Sequence, residues 1–171
     1  MVEEAKYEVI RKLEKAEIRL YERLVIARVD GYGDRGFNLL FRFIQGHNKQ
    51  KSKVAMTAPV VSERIEMTAP VISETGSMAF FMPDAYTLET TPEPLDERVK
   101  IVEVQERHVA ALRFSGRYSE SIFESRSKEL LDELTEVGIK TKGSVFALRY
   151  SGPYTPWFMR RNEVAVEVKL D

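Results

Sequence analysis

The sequence predicts an α+β domain of two duplicated half-domains. Two long helices would lie on a twisted antiparallel sheet of eight strands, or on an open barrel, with pseudo-twofold symmetry. Three observations predict this. Helical periodicity is confined to two segments, near 34–46 and 119–137, and each stops at a glycine. Most of the other apolar segments are short and β-rich or alternate with period two, as half-buried strands do. The order strand, strand, helix, strand, strand runs through residues 1–83 and again through 97–171, with little residue identity between the copies.

In chain order, Tyr7 to Arg11 alternates, and Ala16, Ile18 and Leu20 alternate against Glu17, Arg19 and Tyr21. Leu24 to Val29 is β-rich and ends at Asp30-Gly31. Asp34 is placed to cap the first helix, Phe37, Leu40, Phe41 and Ile44 fall on one face, and Gly46 supplies the stop. A Thr- and Val-rich stretch with Pro59 and Pro70 leads to an apolar strand from Met78 to Met82. Pro83 to Asp96, proline-rich and acidic, reads as the loop between the halves. Val99 to Val104 and Val109 to Phe114 are the next strands. Gly116 turns the chain into the second helix, capped by Ser119 or Ser121, with Glu124 as a capping-box partner. Its buried stripe is Ile122, Phe123, Leu130, Leu131, Leu134 and Val137. Strands at Val145 to Tyr150 and Val164 to Leu170 close the chain. A groove where the halves meet is the expected ligand site.

Composition narrows the chemistry. The 171 residues suffice for one domain with its own core. Lys and Arg total 26 against 27 Asp and Glu, so a phosphate-backbone partner is not expected. With no cysteine there is no disulfide, thiolate nucleophile, Cys-ligated cluster or covalent haem attachment. The two histidines, His47 and His108, are too few for a multi-histidine metal site, and their contexts predict exposure. No apolar run reaches a membrane span and no signal-peptide core is present, so a cytoplasmic protein without a membrane partner is expected.

Gly31-Tyr32-Gly33-Asp34-Arg35-Gly36 matches the dinucleotide-binding spacing G-x-G-x-x-G. Asp34 would set a carboxylate where a phosphate must sit, and the parallel βαβ pattern is missing. The glycines therefore read as a strand-to-helix turn. Met56-Thr57-Ala58-Pro59-Val60 recurs as Met67-Thr68-Ala69-Pro70-Val71. Proline places each copy at an edge or bulge, and Met56 and Met67 either fill the core or line a pocket for a flat ligand. The tail from Tyr150 to Val164 reads as an aromatic loop stiffened by Pro153 and Pro156. Its arginines suit a planar apolar ligand with carboxylates, or else stay solvated.

Several of these stretches together resemble the SOUL haem-binding protein family. They are Tyr7-Glu8-Val9-Ile10, Ala16-Glu17-Ile18-Arg19-Leu20-Tyr21, Phe43-Ile44-Gln45-Gly46-His47-Asn48, Lys53 through Val60, Phe80-Phe81-Met82-Pro83 and Pro156 through Val164. The resemblance spans nearly the whole chain. It implies a duplicated fold related to gyrase-inhibitor-like effector-binding domains, and non-covalent binding of haem or another tetrapyrrole in a shallow apolar cleft. Some members carry histidine after Glu-Ile-Arg, where this chain has Leu20, which excludes an axial ligand there. The expected site sets the tetrapyrrole against Phe37, Leu40, Phe41 and Ile44. Met56, Met67 and Trp157 would face it, and Arg160 or Arg161 would hold a propionate. The protein would act as a buffer, carrier or sensor, not an enzyme. The alternatives are a module for other flat amphipathic effectors, or a hydrolase using Glu163 with Tyr150 or Tyr154.

Overall fold

The computed structural model describes residues 3–32, 35–64, 76–151 and 154–170. In chain order its first strands are β1 (Glu3–Glu4), β2 (Tyr7–Lys12), β3 (Glu17–Tyr21) and β4 (Leu24–Asp30), followed by helix α1 (Gly36–Ile44). Then come β5 (Thr57–Ala58), β6 (Val60–Arg64), β7 (Gly76–Phe81), β8 (Val99–Val104) and β9 (Arg107–Ser115). Helix α2 (Glu120–Glu136), β10 (Lys140–Arg149) and β11 (Arg161–Lys169) complete the chain. The class is α+β, as the two helical periods required.

The chain divides into two compact units. One contains Met1–Ala5 and Arg23–Gln105, the other Lys6–Glu22 and Glu106–Asp171. These units are not the sequential halves. The β2–β3 hairpin belongs with the C-terminal strands, and β8 pairs with β4. Among the described residues the main strands number nine against eight expected, because three of them precede α1.

In the first unit the strands run β6-β7-β4-β8, each pair antiparallel, and β1 adds a two-residue parallel pair with β5. Alternation sends Val25, Ala27 and Val29 of β4, with Met78 and Phe80 of β7, toward Leu40, Phe43 and Ile44 of α1. Gly36 opens the helix beside β4, and a Cβ there would meet Val29 and Met78 at an ordinary contact distance of 3.5 Å, so the position does not require glycine. Asp34, expected as the cap, lies outside the described residues, and the capping position falls on Arg35 with no side-chain cap bond. The other end is tied by Asn48. Its Nδ2 donates to the carbonyls of Phe43 and Ser52 at 3.1 and 2.8 Å, and its Oδ1 accepts from the Ser52 amide at 3.0 Å. The neighbours of β4 are both antiparallel, so the glycine triplet has no dinucleotide-binding context.

In the second unit the order is β2-β3-β9-β11-β10, again antiparallel throughout. The hydroxyl of Ser119 accepts from the Ile122 amide at 3.2 Å, which settles the cap between the two serines expected. Phe123, Leu130 and Leu134 of α2 bury against Ile18, Leu112, Val164, Val166 and Val168. Fully burying side chains of this size stabilises by about 1.5–3 kcal/mol each. Leu131 and Val137, assigned to that stripe from sequence, are exposed. One carboxylate belongs to the packing: buried Glu133 accepts the amides of Lys15 and Ala16, each at 2.9 Å, and so pins the β2–β3 turn to α2.

Candidate functional site

On β3, Ile18 points to the α2 side, so Glu17, Arg19 and Tyr21 must point to the other face of the sheet. On β11, Val164, Val166 and Val168 take the α2 side, which leaves Glu163 with Arg19. Strand β9 lies between them, and Ala111 stands opposite both Glu17 and Ala165 in register. Its methyl group leaves room for a guanidinium to cross β9. Arg19 uses that room: Nη1 and Nη2 donate to Oε1 and Oε2 of Glu163, each at 2.6 Å. Both residues are essentially sealed from solvent, Arg19 at 1% and Glu163 at 0% exposure.

Aromatic and charged groups complete the cluster. The Tyr7 ring lies 4.0 Å from the Arg19 guanidinium carbon, and Arg19 also donates to Tyr21 Oη at 3.1 Å and to Glu17. Arg161 donates to Glu163 Oε2 at 3.1 Å and to Tyr7 Oη at 2.9 Å, with its own guanidinium 3.8 Å from the Tyr150 ring centre. Burial alone would raise the Glu163 pKa. The hydrogen bonds and charge of Arg19, with those of Arg161, outweigh it and hold the carboxyl below its ordinary value. Burial pushes the Tyr150 hydroxyl well up, with Tyr21 and Glu163 adding to it. Its Oη is buried with no hydrogen-bond partner among the described residues, although the Tyr21 hydroxyl is near enough to influence it electrostatically. The cluster is a buried arginine–carboxylate pair flanked by tyrosines, with burial raising the hydroxyls of Tyr21 and Tyr150.

The residues expected to hold a tetrapyrrole separate into three groups. Leu40 and Ile44 are buried in the core of the first unit, and Met56 packs half-buried against it. Phe41 is 42% exposed, and Phe37, 37% exposed, stacks on it with ring centres 6.0 Å apart while meeting the core ring of Phe80 edge-on at 5.3 Å. Phe43, which is not on the face assigned from sequence, is in the core. Met67 lies outside the described residues, as does Pro153.

Trp157 belongs to the second unit, on a single 3-10 turn, Trp157–Met159. Its neighbours are more open still: Tyr154 is 99% exposed, Phe158 59% and Met159 65%, with Trp157 at 53%. Arg160 follows the turn and donates to the Thr155 carbonyl at 3.0 Å. Arg161 to Val164, read from sequence as loop, are the first residues of β11, and Arg161 is committed to the buried cluster. Both histidines are half-buried, not exposed as expected: His47 follows α1, and His108 sits on β9 opposite Leu20. Among the described residues no group of three or more His, Asp or Glu could hold a metal ion.

The Arg19–Glu163 pair was missed by sequence reasoning. Glu17 and Arg19 alternate with apolar residues on one strand and Arg161 and Glu163 flank Asn162 on the other, a pattern that reads as a solvated face, and a separation of 144 residues hides the partnership.

The same fold recurs in solved structures of low identity. An uncharacterized conserved protein from Listeria innocua superposes with a TM-score of 0.67 at 16% identity, 94% of each chain being covered. A hydrolase from the same organism gives 0.67 at 15% identity, covering 99% of this chain and 100% of that one. The EcmrR C-terminal domain gives 0.61 at 9% identity, covering 92% and 99%. No curated protein is significantly similar in sequence. The model of the SOUL heme-binding protein family matches residues 2–167, and with nearly the whole length accounted for, the chain belongs to that family.

Proposed function

We propose that this protein is a non-catalytic binder of haem or a related tetrapyrrole, acting as a buffer, carrier or sensor. The observation that carries the reading is the stacked, exposed pair Phe37–Phe41 on a helix whose core-facing positions are already filled by Leu40, Phe43 and Ile44. Two part-exposed aromatic rings at i and i+4, one of them braced edge-on by the core ring of Phe80, offer an apolar patch that suits a flat macrocycle. Membership of a heme-binding family supports that ligand class. Arg42, exposed in the last turn of the same helix, offers a cation for a propionate. Trp157 and Arg160, expected from sequence to complete the site, belong to the other unit and are tested separately.

A binding role is also supported by the state of Glu163 and Tyr150. A carboxylate that accepts from two arginines and stays ionised is no proton donor, and a phenol held protonated is no nucleophile. Titration of haem into the protein, followed at the Soret band, tests the reading. Phe41→Asp should weaken binding by about 10–100-fold, the worth of one buried aromatic contact. Arg160→Ala should change it little, because half-buried Arg160 already donates to the Thr155 carbonyl and belongs to the other unit. Saturable binding of cationic aromatics with no haem binding would replace this reading with a different effector class.

A further inference from the structure

We propose that the turn from Tyr154 to Met159 is an interfacial anchor that docks the protein on an anionic lipid surface. Tyr154, Trp157, Phe158 and Met159 are all exposed within six positions, a density of large apolar side chains that a soluble surface does not need. Tryptophan and tyrosine are the side chains that favour the headgroup level of a bilayer. The turn is held in place before any contact. The Met159 amide donates to the Pro156 carbonyl at 2.9 Å, the Arg160 side chain to the Thr155 carbonyl at 3.0 Å, and the Arg161 amide to Ser151 Oγ at 2.9 Å. Little ordering entropy then opposes insertion.

Charge selects the occupant. The chain as a whole is nearly neutral, and residues 149–162 hold no acidic residue. Arg149 lies over the Tyr118 ring and Arg161 is spent on Glu163, so the cation offered beside the tips is Arg117, exposed and 5.8 Å from the Trp157 ring. Apolar tips beside an exposed arginine match an acyl boundary beneath anionic headgroups. A second copy of the chain fits less well, because two such turns face to face would oppose their Arg117 side chains. Four side chains also fall far short of the ~800 Å² per partner of a stable interface. No described helix is long and apolar enough to cross a membrane, so the attachment is peripheral. This departs from the expectation, drawn from the sequence, of no membrane partner. This inference is independent of the tetrapyrrole reading and is tested on protein without haem.

The experiment is co-sedimentation with vesicles of phosphatidylcholine and of an equal mixture with phosphatidylglycerol, with the emission of Trp157, the sole tryptophan, recorded alongside. The intact protein should bind the anionic vesicles at low ionic strength, and its emission should shift to the blue. Phe158→Asp or Met159→Asp should weaken partitioning about tenfold or more, and Arg117→Glu should weaken it several-fold on anionic vesicles alone. These side chains or their neighbours are exposed, so circular dichroism should be unchanged. Leu88→Asp, at an exposed apolar residue elsewhere, should bind normally. Absence of binding to the anionic vesicles overturns the proposal. So does binding that survives Phe158→Asp, or a concentration-dependent dimer in sedimentation velocity that Phe158→Asp abolishes.

Discussion

Two arginine–carboxylate pairs in this protein share one geometry and differ in everything else. Arg19 grips Glu163 through two short bonds inside the second unit. Arg98 grips Asp96 with Nε at 2.9 Å and Nη2 at 2.7 Å on the surface of the first. Both carboxyls titrate below their ordinary range. For Asp96 the Arg98 hydrogen bond is the leading cause and sets the value at about 2. For Glu163 burial is the largest influence and opposes the shift, so the arginines must overcome it. The same fork in water is a local convenience, and in the core it is an obligation. Removing one partner of a buried pair strands the other charge, whereas water takes over at the surface.

The comparison breaks most visibly at Glu163. Glu163→Gln leaves buried Arg19 with only the part-exposed Glu17 as counter-ion and should lower stability by about 3–5 kcal/mol, read from urea unfolding. Adding Arg19→Met to a Glu163→Leu background should restore much of that loss, because neither fully buried charge remains and the part-exposed Glu17 and Arg161 can turn to water. A double variant no more stable than Glu163→Gln would mean the cluster stabilises by shape, not by charge.

A smaller effect comes from pH. The folded Glu163 pKa lies below its ordinary value of 4.5, so the unfolded chain takes up protons first as pH falls. That stability is fully present above about pH 4.5 and is lost as pH drops through the folded value. Asp96 follows the same sign, from 3.8 down to about 2. Salt separates the two. Screening should erase the Asp96 contribution and leave that of Glu163, so Glu163→Gln should flatten the acid limb of a high-salt melting curve. An acid limb in Glu163→Gln as steep as in the intact protein would assign it to other carboxylates. The smallest effect is expected of Asp96→Asn, whose melting temperature should match the intact protein's at high salt. A clear drop there would show that surface and interior forks are not so different.

Elements with a repeating pattern could be read from the sequence, and partnerships could not. Helix α2 was placed, with Ser119 as one of two candidate caps, because capping and periodicity are local. Helix α1 was placed too, but Phe43 and Phe41 exchanged roles: both are apolar, and only the position of β4 and β7 decides which one the core takes. Arg161 and Glu163 looked like the end of a loop because prolines and aromatics precede them. Pairing with β9 makes them strand, and alternation then buries Glu163. The exposed turn at Trp157 was legible as aromatic and proline-stiffened, but not as open, since exposure depends on neighbours that sequence does not name.

The interleaving of the two units sets an order on synthesis. Residues 6–22 leave the ribosome early, yet their partner strand β9 begins at Arg107, after the whole of Arg23–Gln105 has been made. The first unit can close while the β2–β3 hairpin still waits with a bare edge, and an isolated hairpin is only marginally stable in water. Glu133, whose carboxylate pins the turn of that hairpin, arrives later still. Early β2 is charged at Glu8, Arg11 and Lys12, which discourages edge-to-edge pairing between nascent chains during the wait. The charges on this outer strand thus serve the chain before it has a native state to stabilise.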